Sequence, residues 1–264
     1  MIPKTIHYVW VGGAPKPPQV LECIGSWRRN CPGWEIREWG DEYARSSGNR
    51  YVLEALEHRK WAFVSDWVRL SVLERYGGVY LDTDVEVNRP LDPLCGDLFV
   101  AGWERQNGKT LVGTGVLGSV AGGDVVRGLL GLYDGIQFVR EDGELDQTPN
   151  TVRFLDYFAS AWNVRPSGGN DTVRFAGGVV YPCSAFVSRE GYAIHHFAAT
   201  WLDEWLRKVW LRVGPYKLVR FKRRKEATSG DFELQAGERK VFSFSVGRRK
   251  RIALVRSEAR REGA

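Results

Sequence analysis

The sequence predicts an α/β fold in which helices flank a mainly parallel sheet, and three observations carry that prediction. Short apolar, β-branched runs alternate with longer stretches of helical period through the first three quarters of the chain. Paired glycines stand where a helix should stop and a strand begin, as in ERYGGVY. The chain has 264 residues, 43% of them hydrophobic and 12% aromatic, enough to bury a sizeable core. In parallel sheets of this kind the ligand crevice lies at the carboxyl ends of the strands.

The elements follow in order. Residues 4–11, KTIHYVWV, read as a buried strand, followed by a loop rich in Gly, Pro and Lys and a helix over 19–29. Residues 34–39 form a second strand candidate. Helices are expected over 51–57 and 61–76, the second stopping at Gly77. Residues 77–87, GGVYLDTDVEV, read as one strand. Further strands are expected over 98–103, 112–120, 179–181 and 192–197, and helices over 125–133 and 151–161. From Trp201, the spacing of Trp201, Trp205 and Val209, and of Leu206 and Trp210, predicts a helix with Lys and Arg between its aromatic residues. Beyond residue 230 the alternation suits one or two hairpins.

The net charge of +6 conceals an asymmetry. Residues 1–206 hold 20 Lys and Arg against 26 Asp and Glu, whereas residues 207–264 hold 18 against 6. The expected division is therefore a catalytic domain over 1–206 and a basic, aromatic extension over 207–264, suited to an anionic membrane surface. No run approaches the roughly 18 apolar residues that span a bilayer, and the start enters strand-like sequence at once. The expected location is the cytoplasm, with peripheral association at the inner face of the membrane. Cys23, Cys31, Cys95 and Cys183 have no zinc spacing and read as packing residues.

On a strand, Tyr80, Asp82, Asp84 and Glu86 share one face. Carboxylates so placed call for solvent or a cation between them. Asp66 and Arg69, three apart in an otherwise apolar helix, are neighbours on one helix face. They form either an internal ion pair or a grip on sugar hydroxyls, with the carboxylate accepting and the guanidinium donating. Trp10 closes the first strand before Gly12 and Gly13, as core or as a stacking platform. In YAIHHFAATW, His195 and His196 face opposite ways on a strand, so one of them can join the carboxylates at a metal.

The ordered set IPKTIHYVWVGG, SDWVRLSVLERYGGVYLDTDV and AIHHFAATW resembles the DXD-containing sugar transferases of glycosyltransferase family 32, which include Golgi mannosyltransferases and bacterial capsule enzymes. It is also distantly similar to the catalytic domain of large bacterial glucosylating toxins. The likeness is dense over residues 1–90, returns at 192–202 and is absent beyond about 210. It implies a GT-A, Rossmann-like fold and a retaining, metal-dependent hexosyltransferase using Mn2+ or Mg2+. It implies that Trp10 stacks on the nucleotide base, with the backbone of Val9 and Val11 lining its pocket. By the same resemblance Asp66 and Arg69 hold the donor sugar and Tyr80 contacts the donor. Asp82 reaches the ribose or the metal, Asp84 binds the metal, and His195 or His196 completes its ligands. Trp201 would touch the diphosphate, and Thr200 keeps a hydroxyl where the family usually has Ser.

The function expected is transfer of a hexose or N-acetylhexosamine from a nucleotide-diphosphate sugar, a UDP-sugar before a GDP-sugar, to a saccharide acceptor. A lipid-linked acceptor in capsular or other surface-glycan synthesis is the expected setting. Two other classes share some features: a metal-dependent phosphodiesterase or nuclease, and a basic nucleic-acid or membrane-binding module with an inert α/β domain. The first would want further convergent acids. Against the second stands the joint presence of Trp10, Asp66, Arg69, Asp82 and Asp84, and no nucleic-acid partner is expected. The segment 104–118 falls where acceptor contacts are expected, with Glu104 as a candidate, and Asp146 reads as a loop residue.

Overall fold

The computed structural model describes residues 1–197 apart from 107 and 167, together with the backbones of five strands between 207 and 255. Two compact units divide the chain, Met1–Ala198 and Ala199–Ala264. In order, the first unit contains β1 (Thr5–Val9), α1 (Pro18–Asn30), β2 (Glu35–Trp39), α2 (Asp41–Arg45), α3 (Arg50–Glu57), α4 (Trp61–Tyr76), β3 (Gly78–Leu81) and β4 (Val85–Val87). It continues with a 3-10 turn at Asp92–Gly96, β5 (Phe99–Gln106), β6 (Lys109–Val112), β7 (Val116–Ser119), α5 (Asp124–Gly131), α6 (Asn150–Ala161), β8 (Val173–Phe175), β9 (Gly178–Tyr181), α7 (Ser184–Val187) and β10 (Ala193–His195).

The main sheet has the order β2-β1-β3-β7-β5-β9-β8, with β6 paired to β5. Strands β2, β1, β3, β5 and β9 run one way, and β7 and β8 run against them. The sheet is thus mainly parallel, as the alternation predicts. One apolar cluster packs α3, α4, α5 and α6 on one face, with Val9, Tyr80 and Leu117 from the strands. A second packs α1 on the other, with Ile6, Tyr8 and Val79.

Helix α4 is apolar almost all round because it is enclosed: Val64, Val68, Leu70, Val72 and Leu73 are wholly buried. Gly77 ends it with φ 64°, and Gly78 follows with φ 102°. A Cβ on Gly78 would stand 2.6 Å from the Thr5 carbonyl oxygen and 2.8 Å from His7 Nε2, so no larger residue fits between β1 and β3.

Two expectations are corrected. The stretch 77–87 is not one strand: β3 stops at Leu81, and residues 82–84 turn before β4, which leaves the sheet to pair with β10. The turn is closed by Val85 N–H donating to the Asp82 carbonyl at 3.0 Å. The helix expected from Trp201 does not extend over 207–213, where β11 (Arg207–Val213) begins a five-stranded antiparallel meander. The run RKVWLRV, rich in β-branched and aromatic residues, suits an extended backbone. The meander continues through β12 (Tyr216–Lys222), β13 (Gly230–Ala236), β14 (Arg239–Val246) and β15 (Ile252–Val255), and β13 with β14 forms a hairpin of the kind expected beyond residue 230.

His7 locks the junction of β1, β2 and α4. Its Nε2–H donates to the Gly77 carbonyl at 2.8 Å, and its Nδ1 accepts from Trp39 Nε1 at 3.0 Å. Burial therefore pulls its pKa down to about 4. The unfolded chain takes up a proton near pH 6.5 and the folded chain only near 4, so stability is full above pH 6.5 and declines as pH falls through that window. Between pH 7 and pH 5 denaturant unfolding should show wild type losing about 2 kcal/mol more than His7→Gln, which keeps a donor and an acceptor but cannot titrate.

Candidate active site

At the carboxyl end of β3 the chain turns through Asp82, Thr83 and Asp84, and the groups expected from sequence converge there. Asp82 is fixed by its backbone, whose N–H donates to the Gly115 carbonyl at 2.8 Å. Its carboxylate accepts from the Tyr80 hydroxyl at 2.8 Å, which confirms that Tyr80 and Asp82 share a face. Burial pushes the Tyr80 hydroxyl far above its usual range, so it remains a donor.

Arg69 lies under this turn, almost wholly buried. Its Nε and Nη2 donate to the Ser65 carbonyl and hydroxyl at 3.2 and 3.1 Å, and its Nη1 donates to the Thr114 carbonyl at 2.7 Å. The same guanidinium pairs with Asp66 at 3.0 Å and Asp82 at 3.3 Å and lies 4.7 Å above the Tyr80 ring. Burial pushes the Asp66 carboxyl up to about 6 despite the opposing pull of Arg69, so it is mostly ionised at neutral pH. Asp66 also accepts from the backbone N–H of Asn150, at the start of α6.

His195 and His196 separate as strand alternation requires. His195 Nε2 stands 3.3 Å from Asp84 and 4.0 Å from Asp82, while His196 turns outward to Glu86 at 3.1 Å. Burial works against a charged His195 ring, but the hydrogen bond to Asp84 and the charges of both acids outweigh it and raise its pKa. Asp82, Asp84 and His195 can each present a ligand atom within 4.8 Å of the others. Two hard oxygens and one imidazole suit Mn2+ or Mg2+ with sites left for substrate oxygens.

Trp10 lies at the end of β1, its Nε1 donating to the Ala14 carbonyl at 2.7 Å, with Lys16 Nζ 5.6 Å from its ring centre. Val9 and Val11 bury their side chains in the core. Thr200 and Trp201 lie outside the described residues. Asp146 is buried, bridges Arg140 and Arg153 and is capped by Thr148. It anchors the segment before α6. Sequence reasoning missed Ser65, Thr114, Gly115 and Asn150, because backbone atoms or small residues supply their contacts and no spacing marks them.

Gly115 is the tightest of these. A Cβ there would stand 2.7 Å from the His195 ring and 3.2 Å from Asp82 Oδ2. Gly115→Ala should push His195 off the two acids and weaken Mn2+ binding by at least about 10-fold in calorimetric titration, with helix content unchanged by circular dichroism.

Comparison with known proteins bears on the same stretch. Residues 17–99 match the family described as "Glycosyltransferase sugar-binding region containing DXD motif". The chain is 31% identical over 129 residues to inositol phosphoceramide mannosyltransferase 3 of Schizosaccharomyces pombe, covering 46% of this chain and 34% of that protein. It is 29% identical over 129 residues to an uncharacterized glycosyltransferase of Acanthamoeba polyphaga mimivirus, covering 45% of this chain and 50% of that one. It thus spans between a third and a half of the length of these relatives. A solved structure titled PaToxG Glycosyltransferase aligns at 17% identity and a TM-score of 0.43, over 61% of this chain and 70% of that chain. The matched residues 17–99 include Asp82 and Asp84, the pair that forms a DXD motif in this chain.

Proposed function

We propose that the protein transfers a hexose or N-acetylhexosamine from a nucleoside-diphosphate sugar to a saccharide, retaining configuration at the anomeric carbon. The observation that carries this reading is the junction of Asp82, Asp84 and His195 with the buried Asp66–Arg69 pair. Mn2+ or Mg2+ held by Asp82, Asp84 and His195 would offset the charge that develops on the departing diphosphate. Asp66 accepts hydrogen bonds from donor-sugar hydroxyls, and Arg69 fixes both Asp66 and Asp82 so that neither swings away. Trp10 stacks on the base. UDP-sugars and GDP-sugars both satisfy a stacking Trp, and the S. pombe relative's name puts mannose among the sugars to test.

The acceptor in this reading is a surface glycan under construction, lipid-linked at the inner membrane face. The net charge of +12 over residues 207–264 supports it, since clustered Lys and Arg are drawn to anionic lipid. Among the described residues no helix is long and apolar enough to cross a membrane. A two-metal phosphodiesterase is less well supported, because Asp82, Asp84 and His195 are the one three-ligand group among the described residues.

The test is release of free nucleoside diphosphate from a panel of UDP- and GDP-sugars, with and without Mn2+. Metal-dependent release from one donor is expected, falling about 100-fold or more in Asp84→Ala. No release and no calorimetric binding of any donor would overturn the reading. Arg69→Lys should also reduce turnover by about 10-fold or more, since an ammonium cannot make the same forked contacts to Ser65, Thr114, Asp66 and Asp82.

A further inference from the structure

Across α7 from His195 lies a cleft of about 250 Å³, apart from the residues proposed for donor and metal. One water needs only about 10–15 Å³, so the cleft has room for a small ligand or one unit of a larger one. Arg89, Tyr181, Ser184, Ser188, Glu190 and Tyr192 stand around it. Helix α7 is the partition: Ser184 and Ala185 line this cleft, whereas Phe186 and Val187 line the space beside His195.

Backbone ties hold the cleft in shape. The Asn88 N–H donates to the Tyr192 carbonyl at 2.9 Å, and Asn88 Nδ2 donates to the Ser188 carbonyl at 3.1 Å. The Tyr192 N–H donates to the Ala185 carbonyl at 2.7 Å, and Gly191 packs so closely on the Ser184 and Ala185 carbonyls that no Cβ fits there. Arg89 stands two residues beyond β4 and Tyr192 one before β10, at the end of that ladder away from Asp84 and His195. Three residues separate Tyr192 from His195, about 10 Å of extended chain.

The side chains offer both polarities. The Arg89 guanidinium is exposed, lies 4.6 Å above the Tyr192 ring and has no ion pair or hydrogen bond among the described residues. Glu190 shares the cleft without pairing with it, and accepts instead from the Ser188 hydroxyl at 2.6 Å. The Tyr181 and Tyr192 rings meet edge to face at 6.2 Å beside them. Sugar hydroxyls both donate and accept, so they satisfy an open guanidinium and a carboxylate together against an aromatic wall. A phosphate would be drawn to Arg89 but repelled by Glu190.

We infer that this cleft is a second saccharide-binding site, holding a unit of the acceptor glycan remote from the unit being glycosylated, with Arg89 donating to its hydroxyls and Glu190 accepting from them. The inference rests on the glycosyltransferase reading above. It gives the enzyme a preference for acceptors long enough to pass over α7.

The experiment compares full-length wild type with Arg89→Ala, Arg89→Lys and Glu190→Gln, all at exposed positions where folding should persist. Saturation-transfer NMR, with neither donor nor Mn2+ present, is run against methyl glycosides and di- to tetrasaccharides of mannose, glucose, galactose and N-acetylglucosamine. At least one oligosaccharide should bind wild type, and its affinity should fall about 10-fold or more in Arg89→Ala and Arg89→Lys and about fivefold in Glu190→Gln. In transfer assays Arg89→Ala should raise the KM for that oligosaccharide by about the same factor, with kcat and transfer to the methyl glycoside within about twofold of wild type. No oligosaccharide binding, or binding that the variants leave within about twofold of wild type, would overturn the inference. So would binding of inorganic phosphate in place of sugar, retained in Arg89→Lys, which would make the cleft an anion site. An equal rise in KM for methyl glycoside and oligosaccharide would overturn it too, by placing Arg89 at the transfer centre. A wild type that binds an oligosaccharide through Arg89 but no nucleotide sugar fails differently: the saccharide site stands and the glycosyltransferase reading falls.

Discussion

The buried guanidinium of Arg69 is the interaction on which the site depends. Taking such a charge out of water costs several kcal/mol, and that cost is offset only when every donor finds a partner. Here all three nitrogens are used, on Ser65, Asp66, Asp82 and the Thr114 carbonyl, with the Tyr80 ring beneath. Those partners belong to three separate segments: helix α4, the turn after β3 and the loop between β6 and β7. One cation therefore fixes their mutual positions. Without it, Asp66 and Asp82 would meet with nothing between them, and burial already pushes Asp66 up to about 6.

Much of the frame is legible in the sequence because it rests on local rules. Helix α4 occupies the span that its apolar period and its terminal glycine predict, β1, β2 and β10 lie within the strands expected for them, and β9 begins one residue before the expected 179–181. The opposite facing of His195 and His196 follows from strand alternation alone, and the structure turns His195 inward and His196 outward. The shared face of Tyr80 and Asp82 is a local rule of the same sort.

The contacts that complete the site are illegible for a physical reason. The Thr114 carbonyl meets Arg69 across 45 positions, and Asn150 donates to the Asp66 carbonyl across 84. No period or motif records a backbone carbonyl brought in by tertiary packing. Gly115 reads as one more turn glycine until the His195 ring is seen to fill the space where a side chain would stand. Asp146, by contrast, is an ordinary buried anchor: Arg153 and Thr148 hold it below the usual carboxylate range even though burial opposes this, and it reaches the site only through the segment leading into α6.

The break in the strand at Asp82 shapes the surroundings of the acidic pair. On a continuous strand, alternate residues face the same way about 6.6 to 6.8 Å apart. Here the turn closed from Asp82 to Val85 carries both acids, and the ligand atoms of Asp82, Asp84 and His195 fall within 4.8 Å of one another. The same turn sends β4 out of the main sheet, where it pairs with β10 in a register that sets His195 opposite Val85, one residue beyond Asp84. A second backbone tie runs from the His196 N–H to the Asp84 carbonyl at 3.0 Å. His195 is therefore brought beside the two acids by the strand with which β4 pairs once it has left the main sheet, so that one local departure from strand geometry positions the histidine of this candidate ligand group.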